Sequence, residues 1–224
     1  RIGGLIDPDI ETIIALRPDL VVPYTTQVDL IAQLGRAGIP LFHYSHGTLP
    51  DILTTVRQLG NRTGRARRAE EVARGIEADL AAIAEAVSGR PRPRTLLVIA
   101  REPGSLRNVF ASGGSGFQHD MLTLAGGENV FDGSVSRAAQ VTTETILQAA
   151  PDVVLEVRAD QSLSPSEIAR EVAAWQALPS LPAVRNSRVV LLTGSDLVIP
   201  GPRIVQGAAR FAGALHPDVT LPTR

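Results

Sequence analysis

The pattern of apolar positions contains one helix-to-strand phrase twice. It reads ETIIALRPDLVV at residues 11–22 and ETILQAAPDVVL at residues 144–155. In both copies, apolar residues at helical spacing predict a helix with one buried face. Pro18 and Pro151 end these helices, because proline lacks the amide hydrogen that the next helical hydrogen bond needs. The continuous apolar run after each proline indicates a strand buried on both faces, as in a parallel sheet.

Alternating helices and strands are predicted throughout the first 60 residues. Strands are expected at residues 20–24 and 39–44, and helices at about 28–37 and 50–59. Asp7 as N-cap and Pro8 as the first helical residue mark the start of the first helix. This alternation predicts a parallel sheet. Because two strands are few for a stable sheet, we expect a further segment upstream of Arg1.

A long amphipathic helix is predicted at residues 63–88. Apolar side chains recur there every three or four positions, with charged residues between them, at Ala69, Val72, Ala73, Ile76, Leu80, Ile83 and Val87. A continuous helix of this length extends about 39 Å at 1.5 Å per residue. Its narrow apolar stripe favours packing along other elements of the fold.

The rest of the chain repeats the alternation of strands and helices. Strands are predicted at residues 95–100 and 188–192, and helices at about 117–124, 165–178 and 206–215. A loop with the sequence SGGSG precedes the first of these helices. Together with the second copy of the phrase, these elements predict a second α/β unit.

Composition narrows the classes of function. The net charge is −1, so no overall positive field favours nucleic acid or an anionic membrane. The chain has no cysteine, which excludes disulfides, thiolate metal sites and cysteine catalysis. No stretch of sequence approaches the roughly 20 apolar residues of a membrane span.

Four longer motifs, taken in order, resemble those of one protein family. They are RIGGLIDPDIETIIALRPDLVV, FASGGSGFQHDMLTLAGGENVF, VTTETILQAAPDVVL, and WQALPSLPAVRNSRVVLLTG with PGPRIVQGAARFAGALHP after it. Over essentially the whole chain, they resemble the periplasmic substrate-binding proteins of ABC importers for cobalamin, ferric siderophores and haem. The resemblance implies an α/β fold of two Rossmann-like lobes with parallel sheets, joined by one long bridging α-helix. It assigns residues 1–61 to the first lobe, 62–90 to the bridge and 91–224 to the second lobe. It also implies that the family's first strand and helix belong upstream of Arg1.

The function implied by this resemblance is capture and delivery without catalysis. A metal chelate (ferric siderophore, cobalamin or haem) is held between the lobes as the transported ligand, with no intrinsic cofactor. The implied partner is an ABC permease in the inner membrane. We expect a monomer without nucleic-acid partners, in the periplasm or anchored at the cell surface. The family docks through one acidic residue on each lobe, which implies Asp29 on the first lobe and Glu167 and Glu171 on the second.

The expected ligand contacts follow largely from sheet geometry. In open α/β sheets, ligands bind beyond the carboxyl ends of the strands. That rule selects Tyr24, Thr25, Tyr44 and His46 in the first lobe, and Arg101 and Asp196 in the second. Phe110 is a further candidate for the cleft, and the resemblance adds Arg203 in the GPR motif. Tyrosine offers a flat ring with a hydroxyl, and arginine offers a planar fork for carboxylates. Alternatively, Arg101 pairs with Glu102 or a neighbouring loop, and the tyrosines are half-buried rim residues.

Two alternatives to chelate binding stay open from the sequence. His43 and His46 stand at a strand end and, with His119 or a carboxylate, could bind zinc or manganese directly for transport. The second alternative is an α/β enzyme or a domain of a metalloprotein assembly. For an enzyme, SGGSGF lacks the G-x-S-x-G spacing of a nucleophile elbow. A domain of a metalloprotein assembly shares the architecture, but its clusters normally need cysteine ligands.

Overall fold

The computed structural model, which describes residues 1–159 and 162–221, consists of two α/β lobes and a long helix between them. The first part of the chain contains the helices α1 (Ile10–Ala15), α2 (Val28–Arg36), α3 (Leu49–Arg62) and α4 (Ala66–Ala86). The strands of the second part are β1 (Arg94–Ala100), β2 (Val109–Ser112), β3 (Glu128–Asn129), β4 (Ala138–Val141), β5 (Val153–Arg158) and β6 (Val189–Thr193). Its helices are α5 (Phe117–Leu124), α6 (Thr143–Ala149), α7 (Pro165–Ala173), α8 (Pro182–Arg185) and α9 (Ile204–Leu215), with 3₁₀ turns at Ala174–Ala177 and Ser195–Leu197. Within the two described ranges, no helix combines the length and the apolar character needed to cross a membrane.

The strands expected in the first lobe are reduced to isolated parallel bridges. The bridged pairs are Val21 with Leu41 and Tyr24 with Tyr44. Pro23 and Pro40 lie inside these two segments and supply no amide hydrogen to a ladder. The segments therefore run side by side in the predicted direction without forming a continuous sheet.

In both copies of the repeated phrase, the residue between the helix and the proline has a positive φ. Arg17, directly before Pro18, has a φ of 47°, and Ala150, directly before Pro151, has a φ of 44°. A residue before proline is disfavoured in the right-handed helical region, so the helix cannot continue through it. A left-handed residue at this point is a common way to end a helix.

The start of α1 differs from the prediction. Asp9, rather than Asp7, is the N-cap, and its carboxylate accepts a hydrogen bond from the Thr12 amide at 2.9 Å. Pro8 therefore precedes the cap instead of opening the helix.

The sheet of the second lobe is mixed rather than wholly parallel. Its strand order is β4-β2-β1-β5-β6, and β3 pairs with the start of β1. The strands β1, β5 and β6 are parallel to one another, whereas β2 is antiparallel to both β1 and β4. Residues 101–108, which connect β1 to β2, contain no helix, and a parallel pair needs a longer crossover connection.

Helices cover both faces of this sheet. Leu96 of β1 packs in a cluster that contains the fully buried Trp175. Leu97 packs in the opposite cluster, with Met121 and Phe211. The strand is therefore buried on both faces, as its continuous apolar run predicts.

The helix α4 packs on both lobes. Its residues Ile76 and Leu80 lie in one cluster with Ile52 of α3 and Phe211 of α9. With 21 residues, it is about 32 Å long at 1.5 Å per residue. It begins slightly later than the predicted helix, because α3 continues to Arg62 and Gly64 then turns the chain with a φ of 68°.

Candidate functional site

Three aromatic side chains of the first lobe form the centre of the site. The ring centroids of Tyr24 and Tyr44 are 5.3 Å apart, and the His46 ring lies 5.1 Å from Tyr24 and 5.4 Å from Tyr44. The Tyr44 hydroxyl and His46 Nδ1 are 3.3 Å apart. The parallel bridge between the two tyrosines brings the segment ends together, in agreement with the strand-end rule. We call Tyr24, Tyr44 and His46 the aromatic cluster.

The environment of the aromatic cluster favours the uncharged forms of His46 and Tyr44. Burial, and then the nearby Arg137 guanidinium, lower the pKa of His46 below its ordinary value of 6.5. Burial, and then Tyr24, raise the pKa of Tyr44 above its ordinary value. The result is a neutral surface of rings with polar atoms at their edges, which suits contact with a flat organic ligand.

A cavity of about 760 Å³ opens beside the aromatic cluster. The N-terminal loop, the start of α2, and Tyr24 and His46 of the aromatic cluster form its walls, which include Asp7, Thr25 and Asp29. Gln27 Nε2 donates to the carbonyl oxygen of Leu5 at 2.8 Å and so ties the N-terminal loop to α2. The volume lies within the usual range of small-molecule sites, roughly 300–1,000 Å³.

A second cavity, of about 270 Å³, lies between the lobes and shares His46 and Arg137 with the first. Arg137, just before β4, donates a hydrogen bond from Nη1 to the carbonyl oxygen of His46. Arg137 was not among the predicted contacts. It stands in the irregular stretch FDGSVSRA, where no periodicity marks it and a lone arginine among small polar residues is the available signal.

Two hydrogen bonds join the lobes close to the aromatic cluster. The Phe117 amide of α5 donates to the carbonyl oxygen of Gly47 at 3.0 Å. The Leu49 amide of α3 donates to the Asp120 carboxylate at 2.8 Å. The start of α5 therefore meets the start of α3 directly beside the aromatic cluster.

The three other predicted contacts, Thr25, Phe110 and Arg203, differ in their relation to these cavities. Thr25 lines the larger cavity, and its amide donates to the carbonyl oxygen of Tyr44 at 2.8 Å. Phe110 is 38% exposed, and Arg203 is exposed at the N-cap of α9. In the part of the chain that the structure describes, neither Phe110 nor Arg203 lines the two cavities, so their ligand contacts stay predictions.

The structure corrects the predicted ligand contact of Arg101. The side chain is fully buried, with Nε 2.8 Å from Glu156 Oε2 and Nη2 3.0 Å from Glu171 Oε2. Nη1 donates to the carbonyl oxygens of Glu102 and Ser105. Because every guanidinium nitrogen is engaged inside the lobe, the alternative pairing with its own loop describes Arg101 better.

Asp196 is also held inside the second lobe. Its side chain is 12% exposed, and Oδ2 lies 3.1 Å from Arg210 Nη1. This ion pair turns the carboxylate toward α9, which corrects the predicted contact of Asp196 with a ligand.

The acidic residues predicted to dock a permease occupy different environments. Asp29 is exposed in the first turn of α2. Glu167 forms a capping box with Ser164, whose amide donates to its carboxylate at 2.7 Å. Glu171 is buried, accepts the Gly104 amide and pairs with two guanidinium groups. An exposed docking role for Glu171 is therefore corrected.

The geometry around His43 and His46 adds no support for direct metal binding. Among the described residues, no three or more His, Asp or Glu side chains cluster in a way that suits a metal ion. His43 is exposed, and His119 lies 3.2 Å from Asn129 Nδ2 and 3.4 Å from Asp132 Oδ1 instead.

Known proteins resemble this chain in sequence and in fold. A vitamin B12-binding protein of Vibrio parahaemolyticus is 26% identical over 87% of this chain and 67% of its own length. The crystal structure of a periplasmic haem-binding protein of Pseudomonas aeruginosa has a TM-score of 0.79 and 24% identity, covering 99% of this chain and 80% of that one. The crystal structure of an ABC-type Fe³⁺-hydroxamate transport system of Saccharomonospora viridis has a TM-score of 0.72 and 25% identity, covering 92% of this chain and 72% of that one.

These similarities confirm the two-lobed α/β fold. The family described as periplasmic binding protein matches residues 2–195, which is most of the chain. Its members bind ligands rather than transform them, so the prediction of a non-enzymatic function is confirmed. By this match, the chain belongs to the periplasmic binding protein family.

Proposed function

We propose that this protein is the substrate-binding component of an ABC importer and that it captures a metal chelate such as cobalamin, haem or a ferric siderophore. The proposal rests mainly on one observation: Tyr24 and His46, packed against Tyr44, line a cavity of about 760 Å³ that Arg137 of the second lobe also lines. The vitamin B12, haem and Fe³⁺-hydroxamate proteins that resemble the chain support this class of ligand.

The rings of Tyr24 and His46, which pack against Tyr44, contact the organic part of the chelate. Their faces supply apolar area, and the hydroxyls and the Thr25 side chain supply hydrogen bonds at the edge of the ligand. The helix α4 packs on both lobes, so capture involves a small hinge motion rather than a wide closure. No bond of the ligand is made or broken.

Delivery to the permease uses acidic residues on exposed helices, Asp29 on the first lobe and Glu167 on the second. Asp29→Asn and Glu167→Gln remove one charge each, and glutamine preserves the capping box. With a reconstituted permease, the double variant should deliver less chelate while its affinity for the chelate is unchanged. Glu11→Gln and Glu144→Gln, on exposed positions of α1 and α6, are the matched controls.

The protein acts as a monomer, in the periplasm or anchored at the cell surface.

A thermal-shift panel tests the proposed function. The purified chain is heated with cyanocobalamin, haem, a ferric hydroxamate, ferric citrate, zinc or manganese. A ligand at 100 times its Kd stabilises the folded protein by about 2.7 kcal/mol, which is a measurable shift. We expect a shift with at least one chelate and its loss in Tyr24→Ala, but not in Leu147→Ala, which changes an exposed residue of α6. A response to free metal alone would favour direct zinc or manganese transport, and no response from folded protein would refute chelate capture.

A further inference from the structure

Glycines of the SGGSG loop set the position of Arg137. The Gly113 amide donates to the carbonyl oxygen of Arg137 at 3.1 Å. A Cβ atom at Gly113 would overlap the carbonyl oxygen of Ser136, and one at Gly114 would meet a neighbouring carbonyl in the same way. Gly116, with a φ of 94°, lies under the aliphatic stem of Arg137, where a Cβ would stand 3.1 Å from Cγ. The SGGSG loop, whose sequence resembles a nucleophile motif, therefore positions Arg137.

The guanidinium of Arg137 has no carboxylate partner among the described residues. Arg101, Arg158 and Arg210 each pair with an acidic side chain of the second lobe. Arg137 instead donates to a neutral acceptor, the carbonyl oxygen of His46. Since a guanidinium carries five N–H donors, most of the binding capacity of Arg137 is left for another acceptor.

The two cavities that share Arg137 differ in charge. Asp7 and Asp29 line the larger cavity. None of the described residues that line the smaller cavity is acidic, and Ser115 and Gln118 add polar groups there. An anionic group is therefore favoured in the smaller cavity, while Tyr24 and His46 of the aromatic cluster line the larger cavity.

We propose, on the basis of the function proposed above, that Arg137 selects the cargo by binding a carboxylate of the metal chelate in the smaller cavity. The carboxylate replaces the neutral carbonyl oxygen of His46 as the acceptor. A charge-assisted hydrogen bond is roughly twice as strong as a neutral one, and a carboxylate can accept two N–H groups of the fork at once. The cargo is accordingly a chelate with at least one free carboxylate, and its organic body lies against the aromatic cluster.

The test compares chelates that differ in the presence of a carboxylate. Haem is paired with its dimethyl ester, and a monocarboxylic acid of cyanocobalamin with cyanocobalamin itself. Each is titrated into the full chain and into the variants Arg137→Gln and Arg137→Lys. Arg67→Gln, at a position 94% exposed on α4, is the matched control. Circular dichroism and the Tm establish that each variant is folded.

We expect the chain to bind the carboxylated member of a pair at least about tenfold more tightly than its partner, as a charged hydrogen-bonded acceptor should. Arg137→Gln should abolish that advantage while leaving the affinity for the uncharged member nearly unchanged. Arg137→Lys should retain part of the advantage, because lysine keeps the charge without the planar fork. Gly116→Ala, which shifts the stem of Arg137, should reduce the advantage as well.

Other outcomes separate this inference from the proposed function. If a chelate binds but the carboxylate makes no difference, or if Arg137→Gln weakens both members equally, selection by Arg137 is refuted and chelate capture stands. If no chelate binds to folded protein, both proposals are refuted.

Discussion

Arg101 and Glu156 form an ion pair inside the second lobe, with Arg101 Nε 2.8 Å from Glu156 Oε2 and side chains 0% and 3% exposed. Trp175 Nε1 approaches the same oxygen at 3.4 Å, and its ring centroid lies 6.0 Å from the Arg101 guanidinium carbon. Arg158 donates to the other oxygen of Glu156 and to Glu171. These groups come from the ends of β1 and β5, from α7 and from the 3₁₀ turn after α7. One network therefore joins the carboxyl edge of the sheet to the helical segment that covers it.

Replacement of Arg101 by methionine should destabilise the protein strongly. The change leaves two carboxylates, Glu156 and Glu171, with one guanidinium in a buried site, and breaking such a network typically costs about 3–5 kcal/mol. Denaturant unfolding of Arg101→Met measures the loss, with Arg67→Met as an exposed control that should change stability by less than about 0.5 kcal/mol. Adding Glu156→Gln to Arg101→Met should recover part of the loss. Equal stability of Arg101→Met and the unmodified chain would contradict the proposed importance of this network.

Two glycines of the α3–α4 region should respond oppositely to alanine. A Cβ at Gly60 of α3 would overlap the Cβ of Ala69 of α4. Gly60→Ala should therefore destabilise the protein by about 1–3 kcal/mol, the usual cost of overpacking. Gly75 lies inside α4 with open space around it, so Gly75→Ala should stabilise by up to about 1 kcal/mol through helix propensity. Thermal unfolding of both variants checks the contrast, and a shift in the same direction for both would be inconsistent with close packing at Gly60.

The buried His216 should make the protein sensitive to mild acid. It is 6% exposed, and burial, followed by Arg90, lowers its pKa below the ordinary value of 6.5. The backbone carbonyls of Ala125 and Gly126 oppose this shift without reversing it. The unfolded chain therefore takes up a proton at a higher pH than the folded protein does. Stability is consequently lost as the pH falls from above 6.5 toward the lower folded-state pKa.

His216→Gln should reduce the loss of stability at low pH. Denaturant unfolding between about pH 7.5 and pH 5, the range in which histidine titrates, measures the effect. His46 has a lowered pKa as well, so a smaller dependence on pH should persist in His216→Gln and diminish further when His46→Gln is added. If the free energy of unfolding falls with pH equally in His216→Gln and in the unmodified chain, His216 does not contribute to the acid sensitivity.

The sequence predicted the aromatic cluster better than it predicted the arginines. Tyr24 and Tyr44 end neighbouring parallel segments, and the direction of the chain is enough to bring such positions together. Arg101 follows a strand end in the same way, but a long flexible side chain can turn inward, and the carboxylates that attract it lie 55 and 70 positions further along the chain. The position of Arg137 depends on the close packing of its loop against the glycines of the SGGSG loop. No local periodicity in the sequence indicates such packing. Secondary structure and chain direction can thus be predicted from local sequence, whereas the partner of an ion pair depends on the tertiary structure.

The rings of the aromatic cluster, rather than their hydroxyls, should supply most of the chelate affinity. Tyr44→Phe keeps the ring against Tyr24 and removes the 3.3 Å contact of the hydroxyl with His46, so its affinity should stay within about threefold of the unmodified chain. Tyr44→Ala removes the ring that packs against Tyr24 and His46, which line the cavity, and should weaken binding by tenfold or more, about 1.4 kcal/mol. Titration of the best chelate from the thermal-shift panel measures both variants. A loss as large in Tyr44→Phe as in Tyr44→Ala would assign the affinity to the hydroxyl, and therefore to a ligand recognised by hydrogen bonding at the edge of the cluster instead of by contact with its rings.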